Sequence, residues 1–104
     1  MSASDALRIQ NAANRTGQQI TVVGSRANGT ATAMSDWDYI FSGASRERIS
    51  AGSSVPRGAA GGEVNASGVE TGIDRFQSYN PNAPNYQVLD PSRPHVIFTP
   101  KGPP

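Results

Sequence analysis

Apolar residues in this chain come in short, dense islands between long polar stretches, and the spacing inside each island indicates the element it forms. Ala6, Ile9, Ala12 and Ala13 lie on one stripe at helical spacing within residues 3–16, which predicts a short amphipathic helix with Ser4 or Asp5 as its cap and Gly17 as its stop. Residues 19–23 are rich in β-branched side chains and end at Gly24, the pattern of a strand running into a tight turn. Residues 25–36 are nearly all small or polar and lead into Asp36-Trp37-Asp38-Tyr39-Ile40-Phe41, a second strand, so the two are expected to pair as a hairpin with a functional connection. Residues 43–51 suit a second short helix with Ser45 as cap and Glu47 near its start. From Gly52 to Gly72 the chain is dominated by Gly, Ser and Ala, which predicts a long surface loop, and loops of that length in small domains are often functional. Residues 72–77, 86–89 and 95–98 read as third, fourth and fifth strands, with Pro-containing segments separating or ending them.

This order of elements predicts an α/β fold: a short mixed sheet of four to five strands with one or two helices on one face and the other face partly open. At 104 residues the chain is expected to be a single domain spanning 1–104. A hydrophobic fraction of 36% beside 11 Gly and 8 Pro limits the core to a small one. The formal net charge is +1 with both signs scattered, so no broad basic surface for nucleic acid is announced. The absence of cysteine excludes disulfides and thiolate metal sites. No apolar run approaches the roughly 18 to 20 residues of a membrane span, and the polar start lacks a signal-peptide core, so a soluble chain without a membrane partner is expected.

The chemistry concentrates at residues 24–38. Strand residues two apart share a face, so Asp36 and Asp38 project together while Trp37 and Tyr39 point to the reverse side as core. Two carboxylates about 4 Å apart repel by roughly 4 kcal/mol at an effective dielectric of about 20. A divalent cation removes that cost, and a few hard oxygen ligands with room left for phosphate oxygens are what Mg²⁺ prefers beside a nucleotide. Upstream, Gly24 allows close approach of backbone to a ligand, and the amide and hydroxyl of Ser25 can donate to phosphate oxygens. Ten residues separate Ser25 from Asp36, enough for a turn that brings the anion site and the carboxylates side by side. The segment from Gly24 to Thr30 lacks the Gly-Lys-Ser/Thr ending of an ordinary phosphate loop.

The run Gly24-Ser25-Arg26-Ala27-Asn28-Gly29-Thr30-Ala31, followed by Ser35-Asp36-Trp37-Asp38, resembles the signature of the DNA polymerase beta-type nucleotidyltransferase superfamily: Gly-Ser, about ten residues, then Asp-x-Asp. The resemblance implies a minimal nucleotidyltransferase fold, phosphate binding at Gly24, Ser25, Arg26 and Ser35, and Mg²⁺ or Mn²⁺ held by Asp36, Asp38 and a third carboxylate that activates the attacking hydroxyl. Asp74 is the candidate for that third position, with Glu63 and Glu70 as rivals in Gly-rich sequence. The implied reaction is transfer of a nucleoside monophosphate from a nucleoside triphosphate to a hydroxyl, with pyrophosphate leaving. Members that lose the metal ligands persist as binding or regulatory modules, which is the alternative function.

Across nearly the whole chain, from Arg8 through Val55-Pro56-Arg57-Gly58 to the closing Pro94-His95-Val96-Ile97-Phe98, the sequence also looks like the C-terminal toxin domains of bacterial polymorphic toxin systems. That likeness implies a secreted effector acting in the cytoplasm of a target cell, or a cytoplasmic protein, with RNA (tRNA) or a protein side chain as acceptor and a cognate immunity protein as partner. Beside these functional roles stand structural ones. Arg26 is either a phosphate contact or a solvated loop charge. Arg57 is a loop residue or a triphosphate or acceptor contact, and His95 is read as a strand-end residue in preference to a general base.

Overall fold

The computed structural model describes residues 1–77 and 89–101. Helix α1 (Ala3–Thr16) begins at Ser2, whose hydroxyl accepts from the Asp5 amide at 3.0 Å while the Asp5 carboxylate accepts from the Ser2 amide at 3.4 Å. This reciprocal box places the cap two residues before Ser4 and makes Asp5 its partner, a correction to the expected start. Gly17, at φ 65°, ends the helix in the left-handed conformation as expected. The stripe of Ile9, Ala12 and Ala13 is buried with Ala6 packed at its edge.

Strands β1 (Ile20–Val23), β2 (Trp37–Phe41), β3 (Ile73–Gln77) and β4 (Val96–Phe98) form one mixed sheet in the order β3-β2-β1-β4. β1 runs antiparallel to both β2 and β4, and β2 runs parallel to β3. The hairpin expected of the first two strands is present. Of the segment expected as a further strand, residues 86–88 lie outside the described residues and Leu89 is in no strand. Between β1 and β2 sits α2 (Ser25–Asn28), a single turn that the polar sequence had concealed, and α3 (Ser45–Gly52) follows β2. The described residues thus hold three helices where one or two were expected. Ser45 is the first residue of α3, not its cap; Ala44 holds that place, and the Ser45 hydroxyl accepts from the Arg48 guanidinium at 3.1 Å.

One face of the sheet carries the core. Ile20 and Val22 of β1, Trp37, Tyr39 and Phe41 of β2, Ile73 of β3 and Phe98 of β4 pack with the α1 stripe and with Ala51 and Val55. Trp37 stacks on Tyr39 with ring centroids 5.8 Å apart, and Tyr39 meets Phe41 at 5.6 Å, so the aromatic residues of β2 are core on the reverse side of its carboxylate, as expected. Arg8 and Arg15 fasten α1 to the end of α3. Arg8 donates to the carbonyls of Ser54 and Val55, and Arg15 to the carbonyl and hydroxyl of Ser50 and the hydroxyl of Ser54.

The Gly-rich stretch after α3 is the expected surface loop only in its outer part, residues 64–70, while its inner part packs against the sheet. Val55 and Pro56 are buried, and the buried Tyr39 hydroxyl donates to the Pro56 carbonyl at 2.5 Å. The chain then runs as a strap hydrogen-bonded to the entry of β3: Gly58 N–H to Gly72 O at 2.9 Å, Gly72 N–H to Gly61 O at 2.9 Å, and Glu63 N–H to Ile73 O at 2.8 Å. A bridge between Val64 and Glu70 closes its outer end. Glycine serves here for close approach of backbone to backbone, with Gly61, Gly62 and Gly72 at φ 80°, 76° and 79°. Among the described residues no helix is long and apolar enough to cross a membrane.

Candidate functional site

Register decides which carboxylates meet. Asp38 pairs with Val23 of β1 on one side and with Asp74 of β3 on the other, so Asp38 and Asp74 stand abreast on the sheet face opposite the core. Asp36, two residues before Asp38, projects to the same face. One carboxylate oxygen from each of the three lies within 4.8 Å of the others, and all three residues are half-buried.

Glu63 is elsewhere. Its carboxylate accepts from the Arg75 guanidinium at 2.7 Å and from the Arg75 amide at 2.8 Å. Glu70 is exposed at the outer bridge of the strap. Of the three candidates for a third carboxylate, the structure brings only Asp74 to Asp36 and Asp38. Glu63→Gln should therefore leave Mn²⁺ binding by the aspartates unchanged while lowering stability by about 1–2 kcal/mol; metal titration and thermal melting of the same sample read both.

The site is electrostatically strained in a direction that a cation relieves. Burial, then the charge of Asp36, raise the Asp38 carboxyl above its ordinary range, partly offset by a hydrogen bond from Asp74. Asp74 is pushed up to about 7, first by burial, then by hydrogen bonds to Asp36 and Asp38, then by their charges. Near neutrality a proton shared among the three does what a metal would do better. The donor set is all carboxylate oxygen with no nitrogen or sulfur, which fits Mg²⁺ or Mn²⁺.

Gly24 brings the backbone against this cluster. It turns the chain from β1 into α2 at φ 72°, and a Cβ there would sit 2.5 Å from Asp38 Oδ2. In the first turn of α2 the amides of Ser25 and Arg26 have no carbonyl partner within the helix, and the half-buried Ser25 carries a hydroxyl beside them. Gly24 and Ser25 thus border the carboxylates, as the sequence spacing suggested.

Arg26 and Ser35 take a different place. The Arg26 guanidinium lies 4.8 Å over the Trp37 ring and donates from Nη2 to the Ser35 carbonyl at 2.7 Å, while its Nε is buried without a hydrogen-bond partner. The Ser35 hydroxyl accepts from the Thr32 amide at 3.0 Å. Together they brace the turn that delivers Asp36 into β2, with the Arg26 guanidinium held over the Trp37 ring. Arg57 donates to the Gly52 carbonyl at 2.8 Å, at the end of α3, and the half-buried His95 ring contacts the Arg93 carbonyl through Nδ1 at 2.8 Å just before β4.

A cleft of about 440 Å³ opens beside Asp38 and is lined also by Gly24, Asn28, Phe76, Asp90 and Arg93. The sequence reasoning passed over Phe76 and Arg93. Phe76 could have been found from its parity, since it lies two residues beyond Asp74 on one strand and so on the same face; nothing local marks Arg93. No family model, characterised protein or solved structure matches the chain.

Proposed function

We propose that this chain is a metal-dependent nucleotidyltransferase that moves a nucleoside monophosphate from a nucleoside triphosphate onto a hydroxyl of RNA, such as the tRNA 3′ end, or of a protein side chain. The observation that carries the reading is the meeting of Asp36, Asp38 and Asp74 beside the Gly24-Ser25 turn, at the mouth of a cleft of small-ligand size. A bound divalent metal would supply positive charge to the reacting phosphate oxygens. The three aspartates would hold it, and the amides and hydroxyl at Ser25 would orient the phosphates. The acceptor oxygen forms a bond to the α-phosphorus, the bond from that phosphorus to the β-phosphate bridge breaks, and pyrophosphate departs with the electron pair. Asp74, the carboxylate brought in from β3, is the group suited to take the hydroxyl proton. The toxin-domain likeness extends the proposal to an effector delivered into a target cell and held in check by an immunity partner.

Incubating the protein with Mg²⁺, α-labelled nucleoside triphosphates and a mixture of cell RNA and protein tests this. Label is expected on tRNA or on protein, and to vanish with the Asp36→Ala, Asp38→Ala double variant. Absence of label from both fractions, or undiminished labelling by the variant, would sink the mechanism.

A further inference from the structure

Among the described residues, one basic side chain lines the cleft beside Asp38. Arg26, the cation nearest the Gly-Ser turn in sequence, donates from Nη2 to the Ser35 carbonyl and lies over the Trp37 ring, and it does not line the cleft. Among the described residues lining the cleft, Arg93 is the only basic one. Its side chain is 84% exposed, and its ion pair with Asp90 is long, at 3.6 Å. Such a surface pair holds its partner weakly, and the Asp90 carboxylate also accepts from the amide and hydroxyl of Ser92 at 2.9 and 2.6 Å. Arg93 can therefore leave Asp90 at little cost.

Phe76 lines the same cleft. Phe76 lies half-buried on the carboxylate face of β3, in register with Ile40 as Asp74 is with Asp38. An aromatic ring lining the same cleft as Asp38 is a platform for a planar base. Asn28 lines the same space; its Oδ1 accepts from the Thr30 amide and hydroxyl at 3.0 and 2.6 Å, which turns its amide nitrogen, a donor only, toward other partners.

We infer that this cleft is the donor-nucleotide pocket, with Phe76 as the base platform and Arg93 as the cation that binds the outer phosphates in place of Arg26. The inference rests on the nucleotidyltransferase reading and deepens it. A single aromatic face reads the flat surface of a base and not its edge, so the pocket accepts nucleoside triphosphates with little discrimination between bases, adenine and guanine included.

Equilibrium binding of nonhydrolysable adenosine and guanosine triphosphates and of the monophosphates, with Mg²⁺ present, tests it. Arg93→Gln is expected to weaken triphosphate binding about tenfold and leave monophosphate binding unchanged, as loss of a charge-assisted contact to the outer phosphates requires. Phe76→Leu is expected to weaken both classes alike, about tenfold. Asp90→Asn should tighten triphosphate binding, because it frees Arg93 and removes a negative charge from the cleft, a gain that damage to the fold would not produce. Wild-type protein that binds metal and triphosphate while Arg93→Gln, Phe76→Leu and Asp90→Asn bind them equally well overturns the pocket and spares the function. Wild-type protein that binds no triphosphate overturns both.

Discussion

Asp38→Asn should reduce nucleotide transfer on the order of 10³-fold or more while the metal-free protein melts no lower than wild type. Both halves follow from the same geometry. Asp38 is the central carboxylate, flanked by Asp36 along its own chain and by Asp74 across the strand pair, so removing its charge removes a ligand from any cation the three would share. In the metal-free protein that charge is a liability, half-buried and facing two others, and burial together with Asp36 already raises its carboxyl above the ordinary range. An amide of the same shape relieves the repulsion and keeps the volume. Transfer assays and thermal melting read the two effects separately, and a variant that loses both activity and stability would mean that Asp38 holds the fold and not the metal.

Gly72→Ala should cost about 2–5 kcal/mol of stability, the sum of a left-handed backbone penalty of about 1–2 kcal/mol and an overlap penalty of about 1–3 kcal/mol. Gly72 sits at φ 79°, and a Cβ there would run into the carbonyl of Gly58. Its own carbonyl accepts from the amides of both Trp37 and Gly58, at 3.0 and 2.9 Å, so displacing it disturbs the start of β2 and the strap together. Gly68 provides the comparison: its φ is 80° but a Cβ there would meet nothing within 4 Å, so Gly68→Ala should show the backbone penalty alone. Denaturant titrations of the two variants give the difference, and equal losses would show that the strap does not press on the sheet as described.

The carboxylate cluster also sets a pH dependence. Asp74 carries a folded-state pKa of about 7 against an ordinary value of 3.8. A carboxyl raised on folding favours the native state below its unfolded pKa and withdraws that support as pH rises through the folded one. The metal-free protein should accordingly lose stability between about pH 4 and 7 from this group. Metal binding needs the deprotonated form, so the increase in melting temperature produced by Mn²⁺ should grow between pH 5.5 and about 8, and a metal effect that shrinks over that interval would contradict the shared-proton description.

Much of the site was legible because strand periodicity and chain spacing are local. The parity of Asp36 and Asp38 places them on one face without any knowledge of the partner strand, and Gly24 marks where β1 must turn. Asp74 was preferred to Glu63 and Glu70 from its strand setting, but its meeting with Asp38 depends on register, which β2 and β3 fix through parallel pairing across thirty-odd residues of intervening chain. Glu63 shows the difference directly: its Gly-rich surroundings look like loop, yet the strap carries it to Arg75 in a bidentate pair. The strap itself was misread because glycine has the same signature whether it loosens a chain or lets two backbones touch. Arg26 was ambiguous for a related reason, since its two partners, the Trp37 ring and the Ser35 carbonyl, lie where the turn closes. The single turn α2 is too short to leave a periodic pattern.

Whether Asp36, Asp38 and Asp74 hold a metal against a triphosphate is tested most directly by calorimetric titration of Mn²⁺ with and without a nonhydrolysable nucleoside triphosphate, in wild-type protein and in Asp38→Asn. The account predicts that metal and nucleotide each tighten the other's binding in wild type and that this coupling disappears in the variant. Binding of neither, or a coupling that survives the loss of Asp38, would contradict it.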